Sequence, residues 1–321
     1  MMDPTSPFAV ADAPPLDPAK FRDPQITAKG EPRASVAMTA LETLWFNTGT
    51  LCNLACKSCY IESSPRNDAL VYLTLAEVAA YLDEIAQTGL PTSEIGFTGG
   101  EPFMNPDMIA ILELCLSCGF ATLVLSNAMR PMRRHEDALL ALHARYGRQL
   151  TIRVSLDHYS QAVHEAERGA NSWDKAISGL TWLAEKGFSI AVAGRHLAHE
   201  SDAGARAGFA ALFAQYDLPI SINDPHSFVM FPEMDAEADI AEISTGCWNI
   251  LGKSPDAMMC ATSRMVVKHK GAERPTVAAC TLLPYDPGFD MGATLAEASR
   301  SVSLNHPHCA RFCVLGGASC S

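Results

Sequence analysis

The stretch "NTGTLCNLACKSCYIES", from Asn47 to Ser63, places three cysteines within eight residues. They are Cys52, Cys56 and Cys59, and they follow directly on a β-rich run at 41–47. We therefore expect the thiols on a loop at the carboxyl end of a strand, where barrel folds place their chemistry. Three thiolates on a short loop suit an iron–sulfur cluster with one iron open to another ligand. The alternatives are a zinc loop or three unrelated core cysteines, although zinc normally takes a fourth Cys or His from the same element.

The composition describes a globular chain. It has 321 residues, of which 48% are hydrophobic and 19% charged, and a net charge of −12. This charge argues against nucleic-acid binding, because such proteins usually carry a basic face. The chain opens without the charged start and apolar run of a secretory signal, and no run reaches the roughly 18 to 20 apolar residues that span a bilayer. We expect a cytoplasmic protein without a membrane partner, where clustered cysteines more often bind metal than form disulfides.

Short β-rich runs alternate with longer runs of helical period from Leu41 onward, which predicts repeated βα units around a parallel sheet. The predicted strands are 41–47, 94–98, 121–127, 150–156, 188–194 and 219–223, and the predicted helices are 74–88, 105–118, 133–146, 173–186 and 202–215. Six units are too few for an eight-fold barrel. They predict an α/β fold, a partial (β/α)6 TIM-like barrel.

The chain divides into three predicted segments. Residues 1–38 form an N-terminal arm rich in Pro, Ala and Asp, 39–235 the partial barrel, and 236–321 a small cysteine-rich module. The module is loop-rich and is expected to need staples or metal to fold. Within it, the run from Cys260 to Cys280 predicts a hairpin with a cysteine at either end.

The run "CNLACKSCY" resembles the signature of the radical S-adenosylmethionine (radical SAM) superfamily, including the aromatic Tyr60. The resemblance implies that the open iron of a 4Fe–4S cluster binds S-adenosylmethionine, whose reductive cleavage yields a 5′-deoxyadenosyl radical that abstracts hydrogen from a substrate. One strand later, Gly99, Gly100 and Glu101 resemble the superfamily's Gly-Gly-Glu motif, whose backbone would hold the cofactor's ammonium group. Alone, this run also suits a simple turn.

Polar residues end the next predicted strands. Ser155 resembles the family's cofactor-contacting serine, and Asp157 suits a ribose acceptor or a buried cap. Arg195 suits a clamp for a carboxylate or substrate, or a surface salt bridge. "HEAERG" resembles the His-x-x-x-Arg-Gly stretch of peptide maturases and molybdenum-cofactor cyclases. The cofactor-binding residues implied by the resemblance are Tyr60, Gly99, Gly100, Glu101, Asn127, Ser155, Asp157, Arg168 and Arg195.

The cysteines of the tail resemble the twitch or SPASM extension of the superfamily, which binds an auxiliary 4Fe–4S cluster. The implied ligands are Cys260, Cys280, Cys309 and Cys313, with Cys247 and Cys320 as reserves. The gap from the hairpin glycine to Cys280 is eight residues, longer than in the family, and the tail lacks the full set of cysteines for two auxiliary clusters. The alternative is a zinc site with the same thiols, which His306 and His308 are suited to join, although a histidine beside a proline in a loop is more often only exposed.

The expected function is that of a radical SAM enzyme acting on a small-molecule or peptide substrate held between two clusters, with the auxiliary cluster binding or oxidising it. No catalytic residue is assigned beyond the cluster, and the implied electron donor is a flavodoxin or ferredoxin. The arm is too short for the recognition domain of peptide maturases, which favours a small molecule or a peptide presented by a separate partner. The alternative is a non-catalytic iron–sulfur redox sensor or electron-transfer protein, which would not need the Gly-Gly-Glu motif.

Overall fold

The computed structural model describes residues 6–10, 13–232 and 235–317. The reserve ligand Cys320 lies outside the described residues. The strands are β1 (Ser35–Val36), β2 (Thr43–Asn47), β3 (Glu94–Thr98), β4 (Ala121–Ser126), β5 (Leu150–Ser155), β6 (Ser189–Arg195), β7 (Phe228–Phe231), β8 (Ser263–Val267), β9 (Thr276–Ala278) and β10 (Val302–Ser303). The α-helices are α1 (Leu75–Thr88), α2 (Met108–Ser117), α3 (Arg130–Arg133), α4 (Glu136–Tyr146), α5 (Gln161–Arg168), α6 (Trp173–Glu185), α7 (Asp202–Gln215) and α8 (Cys247–Leu251).

Six parallel strands form the barrel sheet, in the order β2 to β7. The helices between them cover the sheet, and the strands are almost wholly buried because both faces are packed. The predicted partial barrel is therefore confirmed. The carboxyl ends of all six strands meet at one rim, which brings the polar residues after β2 to β6 together.

One predicted strand is wrong. The run 219–223 folds as a succession of turns, and the sixth strand is Phe228–Phe231. Pro219 has no N–H to donate to a sheet, and the Asp224 carboxylate accepts the backbone N–H of His226 and the hydroxyl of Ser227 in a turn. The helix α5 (Gln161–Arg168) was also not among the predicted helices.

The predicted hairpin from Cys260 to Cys280 is present as β8 and β9, which pair antiparallel. Its first strand pairs parallel with β2, so the hairpin extends the barrel sheet at the edge opposite β7. Cys260 lies in the turn that precedes β8, and Cys280 follows two residues after β9. The division at 235/236 stays a prediction, and β8 places part of the cysteine-rich segment against the first barrel strand.

The N-terminal arm has little regular structure but is held on the rest of the chain. Its strand β1 pairs antiparallel with β10, and Arg33 forms a buried ion pair of 2.5 Å with Glu242. Phe8 is 2% exposed. Among the described residues, no helix combines the length and the apolar character needed to cross a membrane.

Candidate functional site

The three cysteines of the opening motif line one cavity of about 160 Å³ at the carboxyl rim of the sheet. They lie on the loop that follows β2, as predicted from the sequence. Backbone N–H groups point at two of the sulfurs: that of Leu54 lies 3.4 Å from Sγ of Cys52, and that of Ser63 lies 3.3 Å from Sγ of Cys59. Such donors favour sulfur that carries negative charge, as in a metal-bound thiolate.

Burial opposes these donors, because it favours the neutral, protonated form of each thiol. It raises the pKa of Cys52 to about 11 and that of Cys56 to about 12, and it also raises the pKa of Cys59. The nearby Arg168 guanidinium lowers the pKa of all three, but not enough to offset burial. These thiols therefore stay protonated at neutral pH unless a metal displaces the protons.

The donor set fits a cluster with one iron not bound by protein. The buried Cys52 and the partly buried Cys56 and Cys59 share the cavity with the guanidinium groups of Arg168 and Arg195, which would stabilise the negative charge of bound thiolates. In the described part of the chain, no group of three or more His, Cys, Asp or Glu side chains is arranged to hold a metal ion. In a four-iron cube each cysteine binds a different iron, so its thiols need not converge on one ion.

The two glycines after β3 allow this second loop to pack on the cysteine loop. A Cβ on Gly100 would lie 2.2 Å from the Leu51 carbonyl oxygen, and Gly99 has φ +136°. The N–H of Gly100 donates to Gly49 O at 2.8 Å. Both glycines line the cavity, and the N–H of Gly100 is committed to the neighbouring loop.

The third member of that motif has a different environment. Glu101 is 1% exposed and is not among the residues that line the cavity. Its carboxylate accepts the hydroxyl of Ser126 at 2.9 Å and the N–H of Asn127 at 2.8 Å, both at the end of β4. Burial raises the pKa of Glu101 to about 7, despite these donors. Its side chain therefore holds the β4 terminus, while its backbone belongs to the motif loop.

The remaining predicted cofactor-binding residues line the cavity: Tyr60, Asn127, Ser155, Asp157, Arg168 and Arg195. Asp157 and Arg168 form a buried pair in which Nε donates to Oδ2 at 2.6 Å and Nη2 to Oδ1 at 3.3 Å. Burial alone would raise the pKa of Asp157, but Arg168 and Arg195 hold it below its usual value. The side chain of Asn127 lies beside the cysteine loop, donating to Asn53 Oδ1 at 2.9 Å.

Sequence reasoning missed one carboxylate of the site. Glu167 lies in the last turn of α5, lines the cavity and is 2% exposed. It accepts both the N–H and the hydroxyl of Ser58, and its Oε1 lies 3.9 Å from Nη1 of Arg195. The only available signal was its position directly before Arg168 in the quoted "HEAERG" run. Phe8, whose ring stacks on Arg195, had no signal in the sequence.

A second group of thiols surrounds a smaller cavity of about 20 Å³. Its cysteines are the predicted four: Cys260, Cys280, Cys309 and Cys313. Cys309 and Cys313 stand one turn apart in a π-helix, Cys309–Leu315. Burial raises the pKa of Cys260 to about 11 and that of Cys309 well above its ordinary value. Four thiols without a described carboxylate fit a soft metal or an iron–sulfur cluster.

Three other residues of this region are candidate ligands of the second site: Cys247, His306 and His308. Cys247 does not line the second cavity, and its sulfur lies 3.6 Å from Ser244 Oγ. His308 lines the cavity and is 7% exposed, and its Nδ1 has no hydrogen-bond partner among the described residues. His306 lies 4.7 Å away, ring to ring, and its Nδ1 accepts the backbone N–H of His308.

The two cavities share a wall. Leu282 lines both of them. Phe312, which stands between the two cysteines of the π-helix, lines the first cavity and contacts the Phe231 ring at a centroid distance of 5.4 Å. The π-helix therefore presents thiols to one cavity and an aromatic ring to the other.

Comparisons with known proteins agree with this site. The family model described as "Radical SAM superfamily" matches residues 46–201. Residues 46–201, just under half of the chain, are therefore a radical SAM domain. Members of the family use a 4Fe–4S cluster and S-adenosylmethionine. The match spans β2 to the loop before α7 and so contains the cysteine loop and the Gly-Gly-Glu motif.

Two similar curated proteins are named for bacteriocin biosynthesis and for mycofactocin maturation. The chain is 32% identical over 143 residues to the antilisterial bacteriocin subtilosin biosynthesis protein AlbA of Bacillus subtilis (strain 168), covering 44% of this chain and 30% of AlbA. It is 26% identical over 176 residues to the mycofactocin maturase MftC of Mycobacterium tuberculosis, covering 53% of this chain and 41% of MftC. The matched regions thus span less than half the length of these relatives.

Among solved structures, the crystal structure of Streptococcus suis SuiB bound to S-adenosylmethionine is similar, with a TM-score of 0.57 and 13% identity. The match covers 80% of this chain and 64% of SuiB. At this identity the similarity concerns the fold, and it extends beyond the radical SAM domain into the cysteine-rich tail.

Proposed function

We propose that the chain catalyses hydrogen abstraction from a peptide substrate, using S-adenosylmethionine at the first thiol site and an auxiliary 4Fe–4S cluster at the second. The observation that carries the proposal is the wall that the two cavities share. A substrate bound against this wall would lie between the two groups of thiols. Relatives named for bacteriocin biosynthesis and mycofactocin maturation support the peptide, and an unattached small molecule is the other substrate class.

At the first site, Cys52, Cys56 and Cys59 would hold the cluster. When bound, the cluster and S-adenosylmethionine together supply a 5′-deoxyadenosyl radical. The Gly99 and Gly100 carbonyls are suited to accept from the cofactor's ammonium group, while Asn127, Ser155 and Asp157 offer polar groups along the rim of the sheet. The buried pair of Asp157 with Arg168 keeps that carboxylate ionised, so it accepts rather than donates hydrogen bonds.

The substrate side of the cavity is apolar. Phe231, Phe312 and Leu282 form one wall, whereas the two cations Arg168 and Arg195 face the carboxylates Asp157 and Glu167. A wall of this kind excludes water and accepts an apolar or aromatic side chain. This favours a peptide side chain over a phosphorylated substrate.

At the second site, Cys260, Cys280, Cys309 and Cys313 would hold the auxiliary cluster, with Leu282 between it and the substrate. The four come from three separate segments, so binding would also fix the tail against β8. An electron donor such as a flavodoxin or ferredoxin would supply the reducing electron to the first site.

The test is anaerobic reconstitution with iron and sulfide, followed by reduction with dithionite and addition of S-adenosylmethionine. We expect 5′-deoxyadenosine and methionine in equal amounts, and about eight iron atoms per chain because two cubes hold four each. No 5′-deoxyadenosine from protein with an intact first cluster would overturn the enzymatic function and leave a redox or electron-transfer protein. An iron count near four would overturn the auxiliary cluster.

A further inference from the structure

Ser58 is the contact between the cysteine loop and the rest of the site. It stands between Cys56 and Cys59 in sequence, and two of its groups are bonded to the same carboxylate oxygen. Its N–H lies 2.8 Å and its hydroxyl 2.5 Å from Oε1 of Glu167. The hydroxyl also accepts from Nη1 of Arg195. A second bond runs from the N–H of Lys57 to the backbone carbonyl of Glu167 at 3.2 Å. The loop is therefore fixed at its middle from α5.

The other oxygen of Glu167 binds the N-terminal arm. The Ser6 hydroxyl donates to Oε2 at 2.6 Å and accepts the N–H of Phe8 at 3.2 Å. The ring of Phe8 lies 4.0 Å from the guanidinium carbon of Arg195, within cation–π range. Ser6, Phe8 and Glu167 are 5%, 2% and 2% exposed. Through these contacts Ser6 and Phe8 pack against Glu167 and Arg195, two residues that line the cavity.

A buried carboxylate is stable only when its oxygens are hydrogen-bonded and its charge is compensated. Glu167 meets both conditions through three separate segments. The cysteine loop and the arm donate its hydrogen bonds, and Arg195 at the end of β6 compensates its charge. A carboxylate with only a packing role would not require donors from three separate segments. Its neighbour Arg168 holds Asp157, so the last turn of α5 contacts both the cluster loop and the strand rim.

We propose that Glu167 is a positioning residue for the cluster-binding loop, which holds Ser58 in place before the cluster is loaded and ties the segment 6–10 over the site. That the loop binds a cluster rests on the proposed function. The fixed conformation of the loop and the closure by the arm are properties of the polypeptide alone, so they can be measured without metal or cofactor.

The first measurement is amide hydrogen exchange of the metal-free full chain, resolved to the Ser58 amide. We expect exchange at Ser58 to rise about tenfold in Glu167→Ala, since a hydrogen bond to a charged group is lost. Glu167→Gln keeps an acceptor for Ser58 and should give a smaller rise. The matched control is Glu165→Ala, on the same helix, whose carboxylate contacts Gln161 and Trp173 and not the cysteine loop. It should leave Ser58 unchanged.

The second measurement is iron content after reconstitution. Glu167→Ala should lose about half of the iron, that of the first site, while Glu167→Gln keeps most of it. If Glu167→Ala does not fold, Ser58→Ala replaces it, because it removes the hydroxyl bond and should likewise reduce iron at the first site. Equal Ser58 exchange in Glu167→Ala and Glu165→Ala, or full iron in every variant, would overturn the proposal.

The two measurements separate this inference from the proposed function. If Ser58 exchange depends on Glu167 but the wild-type chain forms no 5′-deoxyadenosine, the positioning role stands and the enzymatic function fails. If 5′-deoxyadenosine forms and Ser58 exchange is independent of Glu167, the function stands and the positioning role fails.

Discussion

The two thiol sites differ in how the chain builds them. The first takes three cysteines from one eight-residue loop, whereas the second takes four from the turn before β8, the end of β9 and the π-helix. A loop that supplies three ligands by itself leaves the fourth position to an external molecule. A site assembled from three segments is complete by itself and also joins those segments. The first arrangement suits catalysis, and the second suits a site that is also structural.

The cavities around the two thiol sites differ in size and in polarity. The first cavity, of about 160 Å³, is lined by Asp157, Arg168 and the side-chain amide of Asn127. The second, of about 20 Å³, is enclosed by methionine, leucine and phenylalanine side chains, and its described lining residues include no carboxylate. The first cavity therefore offers more space and more polar groups to a ligand than the second, whose lining includes His308 as its only histidine among the described residues. Four sets of substitutions test this difference between the two sites.

The largest effect on iron content and activity is expected from removing the three cysteines of the first site. In Cys52→Ala/Cys56→Ala/Cys59→Ala, iron should fall from about eight to about four atoms per chain, and 5′-deoxyadenosine formation should stop. Iron analysis and chromatography of the reaction measure both. Cys115→Ala, at a buried cysteine of α2 that lines neither cavity, is the control and should change neither quantity. Persistent 5′-deoxyadenosine in the triple variant would contradict the assignment.

Removing two cysteines of the second site should separate auxiliary iron binding from cleavage of S-adenosylmethionine. Cys260→Ala/Cys280→Ala should also lose about four iron atoms but retain cleavage of S-adenosylmethionine, because the first site is intact. It should unfold at lower temperature than the wild-type holoprotein, since metal binding stabilises the folded tail. Cys247→Ala serves as the control, because Cys247 lies off the cavity. Loss of iron in that variant would mean that the reserve cysteine is a ligand.

A third change concerns a polar group found only at the first site. Asp157→Asn leaves the buried Arg168 without its carboxylate partner, which should weaken binding of S-adenosylmethionine about a hundredfold while both iron sites stay filled. Equilibrium dialysis of the reconstituted protein measures the affinity. Asp174→Asn, an exposed residue at the start of α6, is the matched control. An unchanged affinity in Asp157→Asn would show that this carboxylate is a cap with no ligand role.

The smallest effect is expected at Glu101, whose buried carboxyl should make the free energy of unfolding depend on pH. Burial raises the pKa of Glu101 to about 7 in the folded chain, from its ordinary value of 4.5 in the unfolded chain. The folded chain thus holds an extra proton, which contributes stability below pH 4.5 that is lost as the pH rises through 7. Between pH 5.5 and 7.5 the wild type should lose about 2 kcal/mol relative to Glu101→Gln.

Denaturant unfolding of the metal-free chain at the two pH values measures this difference. The control is Glu185→Gln at the exposed end of α6. If Glu101→Gln and the wild type respond equally to pH, Glu101 is ionised throughout this range. The raised pKa that burial gives this carboxyl would then be wrong, although its hydrogen bonds to the β4 terminus would stand.

Local patterns predicted much of this architecture. The strands β2 to β6 and the hairpin of the tail follow from short apolar runs and turn residues, whereas the grouping of the four tail cysteines was implied by the resemblance to the twitch or SPASM extension. These features depend on neighbours in sequence, which a single chain displays directly. The sixth strand was misplaced because "PISIN" has β-prone residues, yet its proline and the following Asp-centred turn decide the backbone.

Long-range contacts account for the rest. Glu167 binds Ser6 and Ser58, which lie 161 and 109 residues away in sequence. Phe8 lies far in sequence from the Arg195 it stacks on, and the parallel pairing of β8 with β2 joins opposite ends of the chain. No periodicity or motif encodes such contacts. The role of Glu101 was also hidden, since its motif gives no sign that the side chain turns away from the cavity.

The central claim is that S-adenosylmethionine binds at the first thiol site and not at the second. Electron paramagnetic resonance of the dithionite-reduced protein, with and without S-adenosylmethionine, tests it most directly in the two cysteine variants. We expect the signal of Cys260→Ala/Cys280→Ala to shift on addition of S-adenosylmethionine, and that of Cys52→Ala/Cys56→Ala/Cys59→Ala to stay unchanged. A shift in the second variant and none in the first would contradict the account.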